Sequence, residues 1–309
     1  MKKKKHSSVK RLAEYIVVVV FLRILVLLPY RIASDTGGYI GRLGYLLDKR
    51  HRNVALENLS RAFPGKDKED IIRIAKKVFE NLGRSVAEFI HIASHPPDTV
   101  KRMLNKWVTI EGQDYVNNAI MNNNGIIYLG AHFGNWELLG QVLSTNKCTF
   151  NVIARPIDNH RLNRIIISLR SVLGANVLLK KGVLRDTLRV LKKGGAVGIL
   201  LDQNTSREEG VFVDYFGQPA ATNKGLALIA MKSGASVIPV FIVREDTYMH
   251  RVVYLPEIEI KRSDNLESDV FTYTQKFTSI IESFVRDHPE QWFWMHRRWK
   301  TMPLNENSP

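Results

Sequence analysis

The chain has 309 residues, 45% of them hydrophobic, with 45 Lys and Arg against 30 Asp and Glu, so its formal net charge is +15. That length accommodates one large or two ordinary domains around a sizeable core. The charge favours anionic partners: phospholipid surfaces, phosphorylated glycolipids, acidic proteins or nucleic acid. A single cysteine, Cys148, excludes an intrachain disulfide framework and any multi-cysteine metal centre.

Residues 1–14 carry +5 of the charge, which leaves +10 on the rest. An apolar stretch follows from Ile16 to Leu28, interrupted only by Arg23. Its 13 residues fall short of the roughly 20 that cross a bilayer upright. Three readings compete: a cleaved secretory signal, with Arg31-Ile-Ala-Ser34 imitating a cleavage site; a monotopic anchor in the membrane interface; and a tilted single span. Arg23 inside the apolar core argues against a signal, whereas an interfacial anchor tolerates it by snorkelling. The basic start puts Met1 on the cytoplasmic side, and a monotopic anchor leaves the rest of the chain there too. The expected division is therefore a basic N-terminus and membrane-anchoring helix over 1–34 and one domain over 35–309.

No repeat or Pro-rich linker divides the second part. Residues 67–91 read as an amphipathic helix, capped by Asp67 with Asp70 and carrying Ile71, Ile74, Ala75, Val78, Leu82, Val86 and Phe89 at helical spacing. Strands are expected at 125–130, 150–154, 196–202, 236–243 and 250–259. Helices are expected at 136–145, 159–173, 183–193, 223–233 and 268–287, with Gly194-Gly195 and Gly234 as stops. Such alternation implies an α/β fold with a mostly parallel sheet flanked by helices.

The most informative run is Tyr128-Leu-Gly-Ala-His-Phe-Gly-Asn-Trp-Glu-Leu-Leu-Gly140. His132 and Glu137 suggest a base and the carboxylate that orients it. On one continuous helix five residues turn through about 500°, so the two can converge only if the chain bends between them. Gly134 and Asn135 supply the bend, which leaves His132 at the carboxyl end of a strand, where α/β folds place their sites. The plainer alternative is a surface histidine with an early-turn acid favoured by the helix dipole. A zinc site is disfavoured, since no second histidine follows at ligand spacing and His160 or Asp202 could join only by tertiary coincidence. There is no G-x-S-x-G elbow, Walker A sequence or dinucleotide-binding glycine pattern, so no acyl-serine mechanism, metal or cofactor is expected.

The run resembles the H-x4-[DE] signature of glycerolipid-type acyltransferases, and its form His-Phe-Gly-Asn-Trp-Glu resembles the late acyltransferases of lipid A biosynthesis. Three further segments are similar to that branch: Asn53-Val-Ala-Leu-Glu-Asn-Leu-Ser-Arg-Ala-Phe-Pro64, Tyr215-Phe-Gly-Gln-Pro-Ala-Ala-Thr222 and Pro289-Glu-Gln-Trp-Phe-Trp-Met-His-Arg-Arg-Trp-Lys300. The resemblance implies an acyltransferase at the bacterial inner membrane. It implies acyl carrier protein as donor and, as acceptor, a phosphorylated lipid A precursor bearing 3-hydroxyacyl chains. Both are anionic, in keeping with the basic charge, and nucleic acid is disfavoured by the apolar N-terminus.

In this reading His132 and Glu137 are catalytic. Arg155, at a strand end before Pro156, is the candidate for binding the carbonyl oxygen, together with backbone N–H groups near Gly134 and Asn135. Asp202 either orders Arg155 or the acceptor, or caps the next loop. Phe216, in an aromatic cluster, either lines the acyl site or packs in the core. Arg297 and Arg298, among Trp292, Trp294 and Trp299, either meet a charged headgroup or form a buried clasp. Two alternatives stay open: transfer from acyl-CoA to another glycolipid or aminolipid, and a non-catalytic anionic-lipid-binding protein.

Overall fold

The computed structural model describes residues 8–154, 158–179 and 183–304. Five helices come first: α1 (Ser8–Leu27), α2 (Tyr30–Leu47), α3 (Lys49–Ala62), α4 (Lys68–Ala93) and α5 (Pro97–Trp107). Alternation follows through β1 (Val108–Glu111), α6 (Gln113–Asn122), β2 (Ile126–Gly130), α7 (Trp136–Leu143), β3 (Phe150–Ala154), α8 (His160–Arg170), β4 (Asn176–Leu179), α9 (Val183–Lys192) and β5 (Ala196–Leu200). A hairpin of β6 (Gly210–Tyr215) and β7 (Gln218–Asn223) precedes α10 (Gly225–Ser233), β8 (Ser236–Arg244), β9 (His250–Tyr254) and α11 (Leu266–Asp287).

The main sheet runs β1-β9-β8-β2-β5-β3-β4. Every pairing is parallel except β8 with β9, as the alternation of elements led one to expect. All five residues of β2 are buried, because helices cover both faces of the sheet and no side of the strand meets water. The expected helix over 67–91 is α4, and the Asp67 carboxylate accepts from Asp70 N at 2.7 Å. Helix α2 lies against α4 at backbone contact: a Cβ on Gly41 would come within 2.1 Å of the Phe79 carbonyl oxygen, and one on Gly83 within 2.1 Å of that of Gly37. Small residues permit this approach and leave the larger side chains of α2 to the opposite face.

That opposite face is apolar and exposed, with Ile32, Tyr39, Ile40, Leu43, Leu46 and Leu47, and α1 likewise exposes Leu12, Ile16, Val20, Ile24 and Leu27. No helix among the described residues is long and apolar enough to cross a membrane. This corrects the spanning reading of residues 1–34. The reason is composition: α1 opens with Lys10, Arg11 and Glu14, and its apolar part, at 1.5 Å per residue, extends only about 20 Å against a hydrocarbon core of about 30 Å.

Candidate active site

Strand register brings the site together. Gly130 of β2 stands opposite Leu200 of β5. Leu201 N donates to Gly130 O at 3.1 Å, so the pairing continues past both strands. His132 and Asp202 each lie two residues beyond that pair, and adjacent strands are about 4.8 Å apart. Their side chains therefore meet: His132 Nδ1 is 2.9 Å from Asp202 Oδ1, and the His132 backbone N–H donates to Asp202 Oδ2, also at 2.9 Å. Trp292 Nε1 donates to the same Oδ2 at 2.8 Å.

Asp202 is 4% exposed. Burial opposes its ionisation, but the charge and hydrogen bonds of His132, with the Trp292 N–H, prevail and hold the carboxyl below its ordinary value. The reciprocal holds for His132. Burial depresses it and the Asp202 carboxylate overcomes that, so the imidazole binds its second proton more tightly than a free histidine; Glu137 adds to the rise and Arg170 opposes it. An ionised carboxylate on Nδ1 selects the tautomer with Nδ1–H, which leaves the Nε2 lone pair free as a base. Gln203 Nε2 lies 3.4 Å from that nitrogen.

Glu137 does not fill the orienting role expected of it. It accepts a fork of two bonds from Arg170, from Nε to Oε2 at 2.8 Å and from Nη2 to Oε1. The bend between His132 and Glu137 is present, but it directs the carboxylate toward α8. Gly134 makes the bend: its φ is +56°, and a Cβ there would meet the Ile242 carbonyl oxygen at 1.8 Å. The tail secures it from the other side, since Gly134 N donates to Gln291 O at 2.9 Å and Phe293 N to His132 O at 3.0 Å.

The other expected residues divide. Arg155 lies outside the described residues. Asn135 is buried and caps α7 by accepting from Leu138 N, while its amide donates to Ser85 O and Glu88 Oε2. It is scaffold for the turn, and the cluster behind it is equally buried: Glu88 accepts from both Arg244 Nη atoms and bonds His250 Nε2. Phe216, 6% exposed, packs on Phe63, Tyr215 and Trp294 and is absent from the cavity wall described below, so the core reading replaces the acyl-lining one. Arg298 is 1% exposed and donates to Ala221 O and Thr222 Oγ1 of the hairpin, which makes it part of a buried clasp and not a headgroup ligand. Arg297 is exposed.

A cavity of about 360 Å³ opens beside His132, with Trp136, Glu137, Arg170 and Gln203 at its polar part. Leu139, Leu143, Phe150, Val152 and Ile199 line the remainder. One base, one held guanidinium and an apolar recess suit attack by a hydroxyl on a carbonyl attached to a hydrocarbon chain. Arg170 and Trp292 were not assigned roles from the sequence. Arg170 carries no local signal, since it ends an ordinary amphipathic helix; Trp292 stood out only as one of several tail aromatics.

The sequence matches the family described as bacterial lipid A biosynthesis acyltransferase over residues 1–301. It is 31% identical over 283 residues to the lipid A biosynthesis palmitoleoyltransferase of Escherichia coli (strain K12), covering 91% of this chain and 89% of that protein. It is 28% identical to the lipid A biosynthesis lauroyltransferase of the same organism, covering 91% and 90%. A phosphatidylinositol mannoside acyltransferase of Mycobacterium tuberculosis (strain ATCC 25618 / H37Rv) is 27% identical, over 71% of this chain and 68% of that protein.

Proposed function

The chain belongs to the bacterial lipid A biosynthesis acyltransferase family, and on that premise we propose that it transfers a fatty acyl group from acyl carrier protein to a hydroxyl of a phosphorylated lipid A precursor, with His132 as general base and Asp202 as its orienting partner. That it is an acyltransferase of lipid A biosynthesis follows from the family. The donor, the residues and the surface on which it works are this proposal.

The observation that carries the mechanism is the His132–Asp202 pair at the mouth of an apolar cavity. The thioester carbonyl sits at His132 with its chain in the recess lined by Leu139, Leu143 and Phe150. His132 Nε2 takes the proton of the acceptor hydroxyl as its oxygen bonds to the carbonyl carbon. Asp202 stabilises the imidazolium that forms. Negative charge grows on the carbonyl oxygen, and Arg170, fixed by its fork to Glu137, is a cationic donor on the cavity wall. Collapse breaks the carbon–sulfur bond, and the thiolate recovers the proton from His132. The products are an ester and a thiol.

The exposed apolar face of α1 and α2, with Arg23, Arg31 and Arg42 also exposed on these helices, suits a helix pair lying in an anionic membrane interface. This monotopic arrangement keeps the catalytic domain on the cytoplasmic face, where acyl carrier protein is available. The acyltransferase acting on a mannosylated phospholipid favours a second reading in which the acceptor is another glycolipid.

His132→Ala tests the base. Turnover of purified, folded protein with acyl-carrier-protein donor and lipid A precursor is expected to fall at least about 10²-fold. Turnover near that of the parent protein sinks the mechanism.

A further inference from the structure

A second cavity, of about 310 Å³, lies on the far side of Trp136 and Glu137 from the first, and those two residues belong to both walls. It is enclosed by α1, α4, α7 and α8, and apart from Ser85, Asn135 and Glu137 its lining is hydrophobic. Val18 and Leu22 of α1 form one side, Leu82, Val86 and Phe89 of α4 another. Val18 and Leu22 face inward while Ile16, Val20 and Ile24 of the same helix are exposed. A helix apolar on both faces does not suit water. Val86, in the wall formed by α4, is itself 46% exposed, so the cavity reaches the protein surface there.

We propose that this second cavity receives a hydrocarbon chain of the acceptor lipid, so that donor and acceptor chains enter from opposite sides of the Trp136–Glu137 partition. The assignment deepens the acyl-transfer reading and rests on it. Transfer between a fatty thioester and a lipid involves two hydrophobic reactants, and the donor chain already accounts for the first recess. The second shares the Trp136–Glu137 wall with the reacting centre, and α1, whose other face is apolar and exposed, forms one of its sides. A neighbouring recess shares Leu22, Ile165 and Leu169 with it.

The test is a cycle of protein and acceptor. Val86 lines the cavity yet is 46% exposed, so Val86→Trp narrows the space at little risk to the core. Ile166→Phe narrows it from α8. The acceptors are the phosphorylated lipid A precursor bearing 3-hydroxytetradecanoyl chains and its 3-hydroxyhexanoyl counterpart. Each methylene withdrawn from water is worth about fourfold in binding, so exclusion of two or more accounts for a rise of about tenfold or more in acceptor KM. That rise is expected with the long acceptor in both variants and is expected to vanish with the short one, while donor KM stays put. An equal penalty for both acceptors, or one that falls on donor KM, overturns the assignment with the acyl-transfer reading intact. A parent protein inert toward both acceptors overturns that reading, and this assignment with it.

Discussion

Replacing Asp202 with Asn changes one atom at the centre of the site. The carboxylate accepts three hydrogen bonds: Oδ1 from His132 Nδ1, and Oδ2 from the His132 backbone N–H and Trp292 Nε1. An amide has one acceptor oxygen. Two fixed N–H donors converge where Oδ2 sits, so the amide oxygen is held there and the new NH2 faces Nδ1. The imidazole must then accept at Nδ1 and carry its proton on Nε2, the nitrogen needed as the base. In serine hydrolases the same tautomer switch costs about 10⁴-fold. A loss of about 10³–10⁴-fold in kcat/KM, or roughly 4–5.5 kcal/mol of transition-state stabilisation, is expected here. The pH profile supplies a second readout. Asp202 raises the His132 pKa, so the parent protein's activity, which needs neutral imidazole, falls away below a pH above the ordinary histidine value of about 6.5. The stability from the charged pair runs oppositely: it is full below the unfolded value and fades as pH rises through the folded one. Without the carboxylate, the acid limb of the residual activity moves to lower pH. Transfer of labelled acyl chain from thioester to lipid, followed from acid to neutral pH, reads both effects. Activity within about threefold of the parent with an unmoved acid limb refutes the pairing as the source of catalysis.

Arg170→Lys keeps the charge but loses the fork to Glu137, and kcat is expected to drop about 10²-fold with acceptor KM nearly unchanged, as for loss of one oxyanion donor; Glu137→Gln, assayed alongside, is expected to do less harm. Gly134→Ala puts a side chain at positive φ and against Ile242 O; thermal unfolding is expected to show a loss of about 2 kcal/mol or more together with lost activity, because the turn that aims His132 must shift. With acyl carrier protein as donor, kcat/KM is expected to fall steeply between 0.01 and 0.1 M salt, as the screening length shrinks from about 30 to about 10 Å, and much less with a small thioester. Equal slopes for the two donors, or a preference for acyl-CoA, count against docking of the acidic carrier on this basic chain.

What sequence reading reached and what it missed divide along sequence separation. Strand β3 and helix α4 carry their own periodicity and punctuation, so their bounds follow within a few residues. The bend at Gly134 and Asn135 was equally legible, because a glycine and a capping asparagine act on the next turn of chain. Helices α2 and α3 were missed. The face of α2 that contacts α4 is built from Gly37, Gly41 and Gly44, which read as helix breakers until a partner helix makes their smallness useful. The partner of His132 was hidden on the same ground. Glu137 is near His132 in sequence and so invited a local pairing, but an early-turn residue of α7 faces α8, and Arg170 waits there. Asp202 stands 70 residues from His132. Nothing in either segment announces the other, and only the insertion of β5 beside β2, in the register that sets Leu200 against Gly130, makes them neighbours. The tail completes the argument. Its tryptophans read in one dimension as either headgroup contacts or a buried clasp, and Trp292 is buried, its N–H on the Asp202 oxygen that also receives the His132 backbone N–H. A segment 90 residues later thus fixes the orientation of a carboxylate on which the base depends. This is why the aromatic tail, the hairpin clasped by Arg298 and the strand-end histidine belong to one device and not to three.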